Sequence, residues 1–214
     1  MVTAARSADS GQDRGASSRD RILAAAKQLF AARGYENTST VAIARMAGTS
    51  ESQLMKHFGS KEGLLEAIFD AGWQRLTEAL AALRQIPSPA QKLSTLLDGT
   101  LAGMERDPEL KKLLLLEGRR IRREGRMVLT TAGYLGFVGA IDEILGDMQA
   151  AGQLRKDINP QAVRSALIGI FEGILRDQML AEIDGFPSSA SANDLRQLFG
   201  LLLPALAPRP HTAG

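Results

Sequence analysis

The chain has 214 residues, 44% apolar and 23% charged, with no cysteine and a formal net charge of +2, which suits one large domain or two small ones. These values exclude disulfides and thiolate chemistry, give no overall basic field for a nucleic-acid partner, and leave no apolar run near the roughly 18 residues a membrane span needs. The histidines are only His57 and His211, the latter in the Pro-rich stretch APRPHTAG, so a two-histidine zinc motif or a Ser-His-Asp triad in the folded body is excluded too.

Residues 1–17 are small, polar and of mixed charge, without the apolar middle of a secretory signal. They read as a disordered lead-in, and the chain as cytoplasmic. From residue 18 onward apolar residues recur at steps of three and four, the helical period. The first helix is expected over 18–33, with Ile22, Ala26, Leu29 and Phe30 on one stripe and Gly34 as a left-handed stop. A short helix follows over 40–47, capped by Thr38, Ser39 or Thr40 and ended by Gly48. The next starts at Ser50, where S-x-x-Q with Gln53 predicts a capping box, and Gly59 ends it. Ser60 then caps a helix over 61–83, which stops at QIPSP. A helix over 89–106 precedes another with Asp107 as N-cap and Pro108 at its first position. Residues 125–151 are expected as one long helix whose Gly133, Gly136 and Gly139 let a neighbour approach closely. Asn159 and Pro160 open a helix to about residue 182. Ser191 with Asp194 fits a capping box before a last helix ending near residue 206, and 208–214 form a disordered tail. The expectation is an all-α chain of about nine helices with no strands.

The third helix has the most specific pattern. Leu54 and Phe58 lie four apart and point inward, which turns Ser52, Gln53 and Lys56 outward with Met55 on their flank. Ala44 where two helices cross, Gly48 in the turn and Leu54 behind the second helix are the marks of a helix-turn-helix. In a major groove, Gln pairs with adenine and Lys with guanine. Lys61 sits in a first helical turn, where the macrodipole disfavours a cation unless a phosphate is held there too.

The stretch RDRILAAAKQLFAARGYENTSTVAIARMAGTSESQLMKHFGSKEGLLEAIF, residues 19–69, resembles the DNA-binding domain of the TetR (tetracycline-repressor-like) family of bacterial regulators. Three linked motifs carry the resemblance: ILAAAKQLFAARGY, IARMAG and HFGSKEGLL. It implies a three-helix DNA-binding domain over 18–64 and a helical ligand-binding and dimerisation domain over 65–207. It also implies a homodimer through the last two helices, a small-molecule inducer whose identity the sequence does not name, and release of a palindromic operator in double-stranded DNA when that inducer binds. The DNA contacts so implied are Ser39, Thr40, Ser50, Ser52, Gln53, Met55, Lys56, His57 and Lys61. His57 stays open between a packed side chain and a phosphate contact. Relatives usually have a tyrosine at Met55, whose hydroxyl holds a phosphate, a valine at Thr49 and a proline at Gly59.

Trp73, Tyr134, Phe137 and Phe171, with Glu172 and Arg176 to orient a ligand, are candidate pocket residues, although aromatics at helical spacing are as a rule plain core. The run EGRRIRREGR, with Glu117 and Glu124 among five arginines, reads as a solvated helix junction rather than an anion site. ALIGIFEGILRDQML is apolar on two sides, which favours burial against a second subunit. The function expected is ligand-responsive transcriptional regulation, as a repressor, without catalysis, cofactor or metal. The alternative is a dimeric ligand- or protein-binding module of the same fold that has lost DNA binding.

Overall fold

The computed structural model describes residues 17–208, the side chains of 77–82 excepted. Most of the lead-in and tail expected as disordered, with His211, lies outside those residues. Ser17 does not belong to a disordered segment: it caps α1 in a reciprocal box with Asp20. The chain divides into two compact units, Met1–Ala67 and Ile68–Gly214. Nine helices lie among the described residues: α1 Ser18–Arg33, α2 Thr40–Met46, α3 Glu51–Phe58, α4 Lys61–Leu83, α5 Pro89–Arg106, α6 Pro108–Leu116, α7 Ala132–Ala150, α8 Pro160–Asp184 and α9 Ala192–Ala205.

In the first unit α1, α2 and α3 pack pairwise around Ile22, Phe30, Ile43 and Leu54, all essentially inaccessible. Gly34 stops α1 at φ 83, ψ 154, an extended region that in practice only glycine enters. Buried Thr38 follows, its hydroxyl 2.9 Å from the Gly34 carbonyl and 3.2 Å from that of Leu29. The loop into α2 is thereby tied to the end of α1. Ser39, Ser50 and Ser60 each accept a backbone N–H at their helix starts, from Ala42, Gln53 and Gly63. Only the first half of the box expected at Ser50 forms, because the Gln53 side chain extends into solvent.

In the second unit α5 packs on α6, α7 and α9, while α8 covers α7 and α6. Leu93, Leu113, Ile141, Leu145 and Leu195 form its dry centre. Asp107 and Asn159 cap α6 and α8 ahead of Pro108 and Pro160, and Ser191 and Asp194 form their box at α9.

Two expectations fail in one segment. The helix foreseen over 125–151 begins only at Ala132, capped by Thr131, and the chain is not free of strands. Two short antiparallel strands precede α7, β1 Arg122–Arg123 and β2 Arg126–Met127. Glu124 (φ 50) and Gly125 (φ 79) have the two positive φ values of a tight hairpin turn, incompatible with a helix start. The glycine spacing also works differently from the expectation. A Cβ on Gly133 would come within 2.7 Å of the Trp73 Cβ, whereas Gly136 and Gly139 face open space. Three residues rotate a helix by 300°, so glycines at that spacing drift off any one contact line.

Candidate nucleic-acid interface and ligand cavity

On α3 the burial divides as the period requires. Leu54 and Phe58 are buried, and Ser52, Gln53, Met55, Lys56 and His57 are exposed. Ser39 and Ser50 cap α2 and α3 on the exposed surface. Thr40 donates its hydroxyl to the Glu51 carboxylate, so a Thr-Glu pair joins the starts of α2 and α3. Glu51, which the sequence reading passed over, is exposed there. His57 is exposed and its ring is tilted against Phe58, centroids 6.0 Å apart. Val41 and Met46 on α2 and Met55 on α3 are large apolar side chains left in solvent.

Lys61 is not simply extended toward a phosphate. Its ammonium lies 4.2 Å over the Tyr35 ring and 3.4 Å from the Glu36 carbonyl, and the Tyr35 hydroxyl donates to Glu62 at 2.8 Å. Partial burial pushes the Glu62 carboxyl up, yet its own helix-start N–H, the Tyr35 and Ser60 hydroxyls and the Lys61 charge together hold it below its usual range. A cation over an aromatic face adds on the order of 0.5 to 1 kcal/mol at such a site, so this corner is fixed before any DNA arrives.

The second unit contains an apolar cavity, partly open to solvent, with about 50 Å³ of free space between its lining side chains. Trp73, Tyr134, Phe137, Phe171 and Glu172 line it; Arg176 does not, and lies exposed beside Asp177. Trp73 stacks at 5.1 Å from Tyr134 and 5.0 Å from Phe137. Leucine, isoleucine and methionine side chains supply most of the rest, and Lys111 brings a cation into the lining. Glu172 forms a 2.5 Å ion pair with Arg119, which raises the guanidinium further above its usual range, the hydrogen bond to Glu172 being the main cause. Burial first, and then the Glu172 charge, push the Tyr134 phenol up, against Arg119 and Arg164. Arg119 belongs to the run read from sequence as a plain junction, and Lys111 to a helix with no pattern that marks a pocket. Of these charged residues only Glu172 was marked in the sequence.

Residues 22–68 match the model of the bacterial regulatory proteins of the TetR family. The chain carries that family's DNA-binding domain. It is a DNA-binding transcriptional regulator of helix-turn-helix type, and the family is not one of enzymes. Over 200 residues, 92% of this chain and 98% of the relative, it is 26% identical to the transcriptional regulator UidR of Escherichia coli K12. A TetR family transcription regulator from Shewanella sp. PV-4 is 25% identical, with TM-score 0.69 over 91% of this chain and 100% of the other. The regulator FadR of Bacillus subtilis, in complex with stearoyl-CoA, shares the fold at 20% identity, with TM-score 0.72 over 89% and 98% of the two chains. No helix among the described residues is long and apolar enough to cross a membrane.

Proposed function

We propose that this regulator is a homodimeric repressor that leaves a palindromic operator when a largely apolar small molecule fills the cavity. The observation that carries the DNA part is α3 itself, with Ser52, Gln53 and Lys56 in solvent over buried Leu54 and Phe58. Gln53 and Lys56 are the base readers in this reading. Ser39, Thr40, Ser50, His57 and Lys61 make the surrounding phosphate contacts, and Met55 adds only an apolar contact to the backbone sugars beside them.

A single α3 reads too few base pairs for specificity, and a two-fold dimer places two of them about 34 Å apart in successive major grooves. The exposed apolar residues Ile183 at the end of α8, Phe186 just after it and Leu201 on α9 support pairing through the last two helices. For the effector, a cavity walled by leucine and aromatics calls for an apolar body, in keeping with the stearoyl-CoA held by the Bacillus subtilis neighbour. Such a ligand acts by favouring one dimer geometry over the other, and a differential of about 3 kcal/mol lowers operator affinity over a hundredfold.

The test is selection from random duplex DNA by the purified protein, beside a Gln53→Ala, Lys56→Ala variant. The reading requires a palindrome enriched by the wild type and lost by the variant. Enrichment of a single half-site, or of the same sequences by both proteins, would sink it.

A further inference from the structure

Between Thr38 and Ser60 the chain has a single acidic residue, Glu51. It is exposed at the first position of α3 and accepts the hydroxyl proton of Thr40, the first residue of α2. Helix capping does not account for it. Ser50 already closes the start of α3 by accepting the Gln53 N–H, and the preference of a helix start for an acid is weak on an open surface. Joining the two helices does not need a charge either, since a serine or asparagine accepts the same hydroxyl. On a surface set against phosphates, a carboxylate lowers affinity for every DNA sequence alike. Its presence therefore calls for a gain that depends on sequence.

The position of Glu51 supplies one. Residues at the start of a recognition helix are those that reach base edges. In the major groove a carboxylate pairs with the N4 amino group of cytosine. Adenine also offers an amino group, but beside it stands N7, an acceptor that repels the acid. Glu51 does not share the outward stripe of Ser52 and Lys56. Seven residues before Phe58, it lies on nearly the same line along the helix, and the Thr40 hydroxyl holds it at the leading end. That bond engages Oε1 and leaves the acceptor sites of Oε2 for a base. It also uses the Thr40 hydroxyl proton, so a phosphate contact from Thr40 falls to its backbone N–H, one of the first four of α2.

We propose that Glu51, aimed by Thr40, reads the N4 amino group of one cytosine in each half-site of the operator. This rests on α3 entering the major groove of a two-fold operator. Gln53 and Lys56 then share the reading with an acid that rejects wrong sequences. Where guanine or thymine replaces the cytosine, the carboxylate faces acceptors or a methyl group and stays unpaired.

The experiment is selection from random duplex DNA by the full-length wild type and by Glu51→Ala, Glu51→Gln, Thr40→Val and Thr40→Ser variants, with the preference at each base position read by sequencing. The wild type should show one position per half-site at which cytosine is preferred about fivefold or more. Glu51→Ala should flatten that position and leave the others. Glu51→Gln keeps the Thr40 bond through its amide oxygen, and the fold with it, and should turn the same position toward adenine, which a glutamine amide holds bidentately. Thr40→Val should weaken the cytosine preference and Thr40→Ser should keep it. A cytosine position that is unchanged in Glu51→Ala or in Glu51→Gln leaves the carboxylate as a helix-start contact and overturns the proposal, even if affinity shifts equally on all sequences. So does a flattened position that is not cytosine. A preference untouched by Thr40→Val removes the positioning role of Thr40. A wild type that enriches no palindrome overturns the DNA reading beneath the proposal, a different result from a palindrome indifferent to Glu51.

Discussion

Glu172, which lines the cavity from α8, is joined at 2.5 Å to Arg119 beyond α6, with the Tyr134 phenol against the same guanidinium. Because the folded protein raises the phenol above its ordinary value of 10.0, it favours the protonated form. That contribution to stability is complete below about pH 10 and is lost as the pH rises through the folded value. Tyr134→Phe has no such group, so its urea midpoint should fall less steeply in alkali than that of the wild type. Parallel alkaline limbs would contradict the raised phenol.

The Tyr35 to Glu62 hydrogen bond gives the opposite pH window. Glu62 is held below its ordinary value of 4.5, so its contribution is present above that value and is lost as the pH falls through the folded one. Tyr35→Phe keeps the ring under Lys61 and removes only the hydroxyl. It should reduce stability by about 1 kcal/mol at neutral pH, with the deficit shrinking in acid. A deficit that is constant down the acid limb would mean the hydroxyl acts through something other than Glu62.

Helix glycines in α7 separate by position. Gly133→Ala would force a Cβ to within 2.7 Å of the Trp73 Cβ and 3.2 Å of the Asp70 carboxylate, which also accepts the Gly133 N–H. Overpacking of this kind costs about 1 to 3 kcal/mol, more than the roughly 1 kcal/mol gained by alanine in a helix. Gly136→Ala and Gly139→Ala meet nothing within 4 Å and should gain that propensity. Thermal melts should therefore move down for the first variant and up for the other two, and the Trp73 emission should shift only in the first.

What the sequence carried plainly was whatever obeys a local rule. Ser50, Asp107 with Pro108, and Asn159 with Pro160 cap their helices because a cap is a contact within three residues. The inward Leu54 and Phe58 follow from the helical period alone. The hairpin at 122–127 was illegible because two-residue strands have no period to read, and because glutamate at Glu124 rarely enters the positive-φ region that the turn requires. Arg119 was missed as the partner of Glu172 for another reason: the two are remote in sequence and only the fold brings them together. Arg176 faces solvent although Glu172, four residues earlier, lines the cavity. One helical turn keeps two residues near one face, but a long arginine at its edge gains more by staying in water.

Met55 offers the sharpest test of the DNA surface. It is 40% exposed on α3 beside Lys56, and its thioether has no hydroxyl to donate to a phosphate. Met55→Tyr restores a donor without adding charge. Operator affinity should rise by about 1 kcal/mol, or fivefold, while its dependence on salt stays the same, since no further counterion is displaced. Lys56→Ala should do the reverse, lowering affinity and reducing the salt slope by about one if the ammonium neutralises a phosphate. If the slope is unchanged while base preference relaxes at one position, Lys56 reads a guanine edge instead. Measuring both variants on one operator over a range of salt thus separates the positioning contact from the reading contact on the same two-turn helix.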